Sequence, residues 1–162
     1  MALSKKRLLI KIATAVILIL AAGFILYKLI SPDEFKVNED EIALRIRLDT
    51  AEDIGLLVYD YNINGEDYSG GVSNADRSLI GHDEEIIVTW NEEELHTDLK
   101  EENDITVTFR VITEYTDPNF DNVYPEEITM HLDPVEWTAH KGEEYTIRIT
   151  GDNTNGYEVT ME

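Results

Sequence analysis

Cysteine is absent from this chain of 162 residues. That absence removes disulfides, thiolate nucleophiles, cysteine-based zinc sites and a lipid-modified cysteine anchor in one step. Asn-x-Ser/Thr glycosylation acceptors are absent too, although asparagine recurs through the C-terminal part. An extracellular domain without disulfides must be held by its core alone, which is commoner in bacteria than in small eukaryotic secreted domains. Basic residues are scarce, 13 against 34 acidic. Recognition of nucleic acid or of anionic lipid head groups relies on basic patches, so this balance excludes the first and disfavours the second for most of the chain.

The scarcity is uneven. No acidic residue precedes Pro32, whereas Lys5, Lys6, Arg7, Lys11 and Lys28 do; after Pro32, eight basic residues face all 34 acidic ones, a net charge of −26. The basic end leads into an uncharged apolar run from Ile12 to Tyr27. If Lys11 and Lys28 snorkel, the usable span is Leu8 to Ile30, about 34 Å at roughly 1.5 Å per residue, enough for a hydrocarbon core of about 30 Å. The sequence therefore predicts a basic cytoplasmic end over 1–7 and a transmembrane signal anchor over 8–30. A linker follows over 31–40, then an acidic extracytoplasmic domain over 41–162. The positive-inside bias puts the N-terminus in the cytoplasm and the domain outside. The rival is a secreted protein released after signal cleavage near Ala21-Ala22-Gly23, which would leave an apolar new terminus.

Beyond the linker the hydrophobic period is two. Ile42, Leu44, Ile46 and Leu48 alternate with smaller or charged residues, as in a strand with one buried face. Ile54 to Ile63 runs into Asn64-Gly65, a type I′ hairpin signal with a return strand near Glu66 to Ser73, where Gly70-Gly71 suggests a bulge or bend. Glu85 to Trp90 reads as a short strand. Ile105, Val107, Phe109 and Val111 mark a longer one. Tyr145, Ile147 and Ile149 pair with Tyr157, Val159 and Met161 across a turn. Glu92 to Asn103 has room for one helical turn, and its charges suggest a loop or lid. About seven short strands imply an all-β fold, an antiparallel immunoglobulin-like β-sandwich behind one N-terminal helix. In layout, a basic signal anchor followed by one cysteine-free acidic β domain, the chain resembles small membrane-anchored surface proteins of Gram-positive bacteria. The resemblance implies a location and no functional residue.

Two segments look like fragments of calcium loops, in which oxygens at alternate positions wrap a hard cation. Asp60, Asn62 and Asn64 with Gly65 match the first half of such a loop, but position twelve is Gly71 rather than glutamate. Asp117, Asn119 and Asp121 form the second, without its glycine, ahead of Glu126 and Glu127. The bland alternatives are a hairpin with polar edges and a solvated acidic loop. Trp90 and Trp137 are candidates for stacking on sugar rings, against a core role that the alternation of Trp90 with Ile86 and Val88 favours. The histidines are dispersed and no serine lies in a G-x-S-x-G elbow. So many carboxylates occur that a catalytic pair cannot be singled out.

These features predict a membrane-anchored extracytoplasmic binding or structural module without chemistry of its own, whose partners are the lipid bilayer and an envelope protein or polysaccharide. A calcium-dependent or carbohydrate-binding module is the alternative. An envelope hydrolase is the third reading, and no catalytic residue is assigned to it.

Overall fold

The computed structural model describes residues 35–116 and 124–162. The chain divides at Lys36/Val37, and the description below concerns Val37–Glu162. The expected anchor, 8–30, lies outside the described residues. Among those described, no helix is long and apolar enough to cross a membrane.

Nine strands are described: β1 (Ile42–Thr50), β2 (Leu56–Ile63), β3 (Glu66–Val72), β4 (Glu85–Trp90), β5 (Glu102–Ile112), β6 (Thr129–His131), β7 (Val135–His140), β8 (Glu144–Asp152) and β9 (Gly156–Met161). They form two sheets packed as a sandwich. One has the order β4-β1-β8-β9; the other runs β3-β2-β5, with β6 and β7 both pairing along the far side of β5. Period-two alternation gives each sheet an apolar inner face. Ile42, Leu44, Ile46 and Leu48 of β1 are buried, and so are Leu57 and Ile63 of β2 and Ile105, Val107, Phe109 and Val111 of β5. On β1 the polar positions Arg45, Arg47 and Asp49 are left to the outer face.

The hairpin between β2 and β3 forms as expected. Asn64 and Gly65 both take positive φ, 55° and 98°, the condition for a type I′ turn. Its return strand has no bulge, contrary to expectation, because all seven residues of β3 pair in unbroken register with β2. Gly70 is there for room instead. A Cβ at Gly70 would fall 2.6 Å from the Tyr59 ring, which lies across the position opposite it.

Three further expectations are corrected. Two strands, β6 and β7, add to the seven: β6 is three residues long, and Asp133-Pro134 interrupts the edge before β7. The sandwich is not purely antiparallel, since β1 runs parallel to β8. The cause is where the chain crosses between sheets. It leaves β7 at His140 and turns through Gly142, whose φ is 78° and whose N–H donates to Glu41 O at 2.7 Å, so β8 starts level with Ala43. Finally, 92–103 is no lid. A short helix, α1 (Glu92–Leu95), is capped by the Asn91 side chain accepting from Glu94 N at 2.9 Å. Leu95 and Leu99 then insert into the main core.

Asn103, at the end of this segment, is completely buried. Its Oδ1 accepts from Asn64 Nδ2 and Lys100 N, each at 2.9 Å, and its Nδ2 donates to Lys100 O at 2.8 Å and Ala139 O at 3.4 Å. One amide thus ties the β2–β3 turn, the α1 segment and β7 together. Asn103→Ala leaves several buried groups unpaired and is expected to cost about 2–4 kcal/mol. Urea unfolding checks this, and a loss under about 1 kcal/mol would show that water replaces the amide.

Candidate binding face

The outer face of the five-stranded sheet divides into an apolar end and a polar end. Leu56, Val58 and Ile112 form a small second core beneath Tyr124 and Ile128. Past that cover, β2, β3 and β5 turn polar outward and frame an open trough of about 550 Å³ lined by Asp60, Asn62, Asp67, Ser69, Thr106 and Thr108. Register explains the grouping: Asp60 lies opposite Ser69 and Thr108, and Asn62 lies opposite Asp67 and Thr106. These are the even positions of β2, which alternation turns away from the core.

The trough is pre-ordered by its own hydrogen bonds. Asn62 Nδ2 donates to Asp67 Oδ1 at 2.7 Å while Asn62 Oδ1 accepts from Gly65 N at 2.8 Å. Arg110, on the same face, donates to Asp60 Oδ2 at 2.9 Å. The first calcium-like triplet is therefore separated: Asp60 and Asn62 share the trough, but Asn64 turns away, donating to Asn103 and accepting from Asp104 N at 3.2 Å. Among the described residues, no three His, Asp or Glu side chains gather in a way that could hold a metal ion. Asp117, Asn119 and Asp121 lie outside the described residues.

Neither tryptophan offers an open platform. Trp90 is 2% exposed, and Trp137 is half-buried against it with ring centroids 6.4 Å apart. They belong to an internal row in which Tyr68 stacks on Tyr61 at 5.2 Å, Tyr61 meets Trp90 at 5.2 Å, and Trp137 meets Tyr145 at 6.0 Å. Burial pushes the Tyr59 and Tyr61 hydroxyls above their ordinary range. The indole nitrogens of Trp90 and Trp137 are buried, and among the described residues neither has a hydrogen-bond partner.

The four-stranded sheet carries ion pairs on its outer face. Arg45 bridges Glu85 at 2.8 Å and Glu144 at 2.6 Å, Arg47 bridges Glu85 at 2.9 Å and Glu162 at 3.0 Å, and Arg148 meets Asp49 at 3.4 Å and also Glu162. The two arginines hold the Glu85 carboxyl below the usual range. A separate acidic hollow, lined by Asp40, Glu41, Asn91, Glu92 and Glu93, is bounded by a Lys141–Glu92 pair at 2.6 Å.

The histidines do not converge. His82 Nδ1 lies 2.8 Å from Asp53 Oδ1 on the exposed surface, and His131 lies 3.5 Å from Glu126. Among the described residues neither imidazole is hydrogen-bonded to a serine or threonine hydroxyl, so neither forms a nucleophile–base pair. No sequence signal marked the Asp53–His82 pair, whose members are 29 residues apart.

No family model matches this chain, and no curated protein is similar to it at a meaningful level. Among solved structures, a disulfide-locked mutant of intermedilysin with human CD59 aligns over 75% of this chain at 12% identity and TM-score 0.38. A structure described as a trapped toxin aligns over 75% at 12% identity and TM-score 0.36. This chain spans about a quarter of those proteins, 24% and 23% of their lengths.

The Asp53–His82 contact has a defined pH signature. Hydrogen bonding to Asp53 raises the His82 pKa, and the same contact lowers that of Asp53. A raised imidazole contributes stability below its ordinary pKa and loses it as pH rises through the folded value. A depressed carboxyl contributes above its ordinary pKa and loses it as pH falls. The pair is therefore strongest between about pH 4 and 6.5. Titration of the His82 ring by NMR should give a value above the ordinary histidine range that Asp53→Asn returns to it; an unchanged value in the variant would dissolve the pair.

Proposed function

We propose that this chain is a membrane-anchored binding module, displayed outside the cell on one N-terminal helix, that holds a partner without chemical change. The observation that carries this is the polar trough on β3-β2-β5. Its donors and acceptors are fixed in a row by Asn62–Asp67 and Asp60–Arg110, on a rigid sheet rather than in a deep cleft. Such a surface recognises through hydrogen bonds and shape. The anchor reading rests on the uncharged apolar run Ile12 to Tyr27, extended to Leu8 and Ile30 by snorkelling of Lys11 and Lys28, and on the separation of basic from acidic residues at Pro32.

The finer architecture reads as immunoglobulin-like. Supporting that reading, β1 and β4 pair as strands B and E do, and β3-β2-β5-β7 follow the order C′-C-F-G. The departure is on the far side of β1, where β8 and β9 stand in place of a first strand and β8 runs parallel.

Expression of the full chain with a C-terminal tag in a Gram-positive host tests the placement. The tag should sediment with membranes after alkaline washing and be digested by proteinase added to intact cells. A tag in the soluble cytosol, protected from proteinase, would end the proposal. Cross-linking from the trough in the same cells should then capture a protein or polysaccharide, and an absence of any capture would argue against a binding role.

A further inference from the structure

We infer that the free edge of β3 receives an extended, basic segment of another protein as an added strand. This rests on the binding-module reading and names the class of partner.

The backbone supplies the first argument. In an antiparallel pair closed by a two-residue turn, alternate residues of the outer strand point N–H and C=O away from the partner. With Glu66 opposite Ile63 closing the turn, those residues are Asp67, Ser69 and Gly71, and all three are exposed. Strand β3 pairs with β2 alone, and among the described residues no backbone hydrogen bond reaches its other side. The edge is thus a row of unmet donors and acceptors.

Steric protection of that edge is missing, and its only guard is the charge of Glu66 and Asp67. Edge strands are normally blunted by lysine, proline, a bulge or strong irregularity. β3 reads EDYSGGV, in unbroken register and with no cation or proline. The β6–β7 edge of the same sheet, by contrast, is interrupted at Asp133-Pro134. Gly71 adds no side chain beside an incoming strand, and Tyr68, stacked on Tyr61 and donating to Leu95 O at 3.2 Å, holds β3 in place. Both features pre-organise the edge for addition.

Charge selects the occupant. Glu66 and Asp67 lie on the strand and Asp60 beside it, within a domain, Val37–Glu162, of net charge −25 from 7 basic and 32 acidic residues. A second copy of this chain would bring the same charge to the same edge. A strand bearing lysine or arginine at alternate positions would set its cations over Asp67 and the trough while its backbone completed the ladder.

The test uses the full chain in detergent micelles and a ten-residue peptide of alternating lysine and threonine as probe. Titration should show binding, weakened by added salt, with slowed hydrogen exchange over 66–72. A peptide of the same sequence with alternate backbone amides N-methylated keeps the charge but removes the edge donors. It should bind at least about tenfold more weakly. Equal affinity for the two peptides, protection confined to another strand, or no binding would each overturn strand addition. So would self-association of the chain through 66–72. Gly71→Pro alters only the outward edge and should reduce binding of the unmodified peptide while circular dichroism stays unchanged. If the peptide fails while cross-linking in cells still captures a partner, this inference falls and the binding-module reading stands.

Discussion

The constraint on which this structure depends is its unbalanced charge. A domain with 32 carboxylate side chains, seven lysines and arginines and no disulfide over Val37–Glu162 repels itself wherever the chain is brought together, and compaction must overcome that repulsion. Two devices do so. The first is an uninterrupted apolar interior in which β1 and β5, the central strands, bury every second residue completely or almost so. The second is the placement of the few arginines. Arg45, Arg47 and Arg148 sit at cross-strand positions on one face, each touching two carboxylates from different strands or from the C-terminal residue. Exposed pairs taken singly contribute little. Linked across β4, β1, β8 and Glu162, they tie a net-positive β1 to net-negative neighbours on both sides.

Inside the domain one buried amide is fully engaged. Asn103 satisfies four partners from a position with no solvent access. It joins segments that are distant in sequence, and through them the short α1 helix plugs the sandwich with Leu95 and Leu99. A charge-rich stretch thereby becomes part of the core, because its two leucines four residues apart matter more than the carboxylates around them.

This is also where sequence reading reached its limit. Period-two alternation located β1, β4, β5, β8 and β9, and Asn64-Gly65 located the hairpin, since these signals are local. Strand β7 was hidden although Val135, Trp137 and Ala139 alternate, because the intervening glutamate, threonine and histidine left no sustained contrast. The parallel β1–β8 pair was hidden for a different reason: it is set by the end of the sandwich at which the chain changes sheets, a property of the assembled topology. At the candidate site, Asp60 and Asn62 were legible as polar edge residues of a hairpin and as a partial calcium-loop match. Their cross-strand neighbours Ser69, Thr106 and Thr108, which make the trough, become neighbours only through register. Trp90 was legible as core from its alternation with Ile86 and Val88, and the fold buries it.

An acidic surface and an open strand edge would ordinarily be opposing features, since one keeps molecules apart and the other invites pairing. In this domain they act together. The hydrogen-bonding groups of β3 are indifferent to sequence, so left alone they would pair with any extended chain, including another copy. Carboxylates flanking that edge make the copy the worst of the available strands and a cationic segment the best, a difference set by like-charge repulsion rather than by side-chain pockets. Lysine on β3 would have turned away cationic strands and admitted acidic ones; carboxylates reverse that preference. An edge guarded in this way is a filter, and the charge that burdens folding is what gives the filter its selectivity.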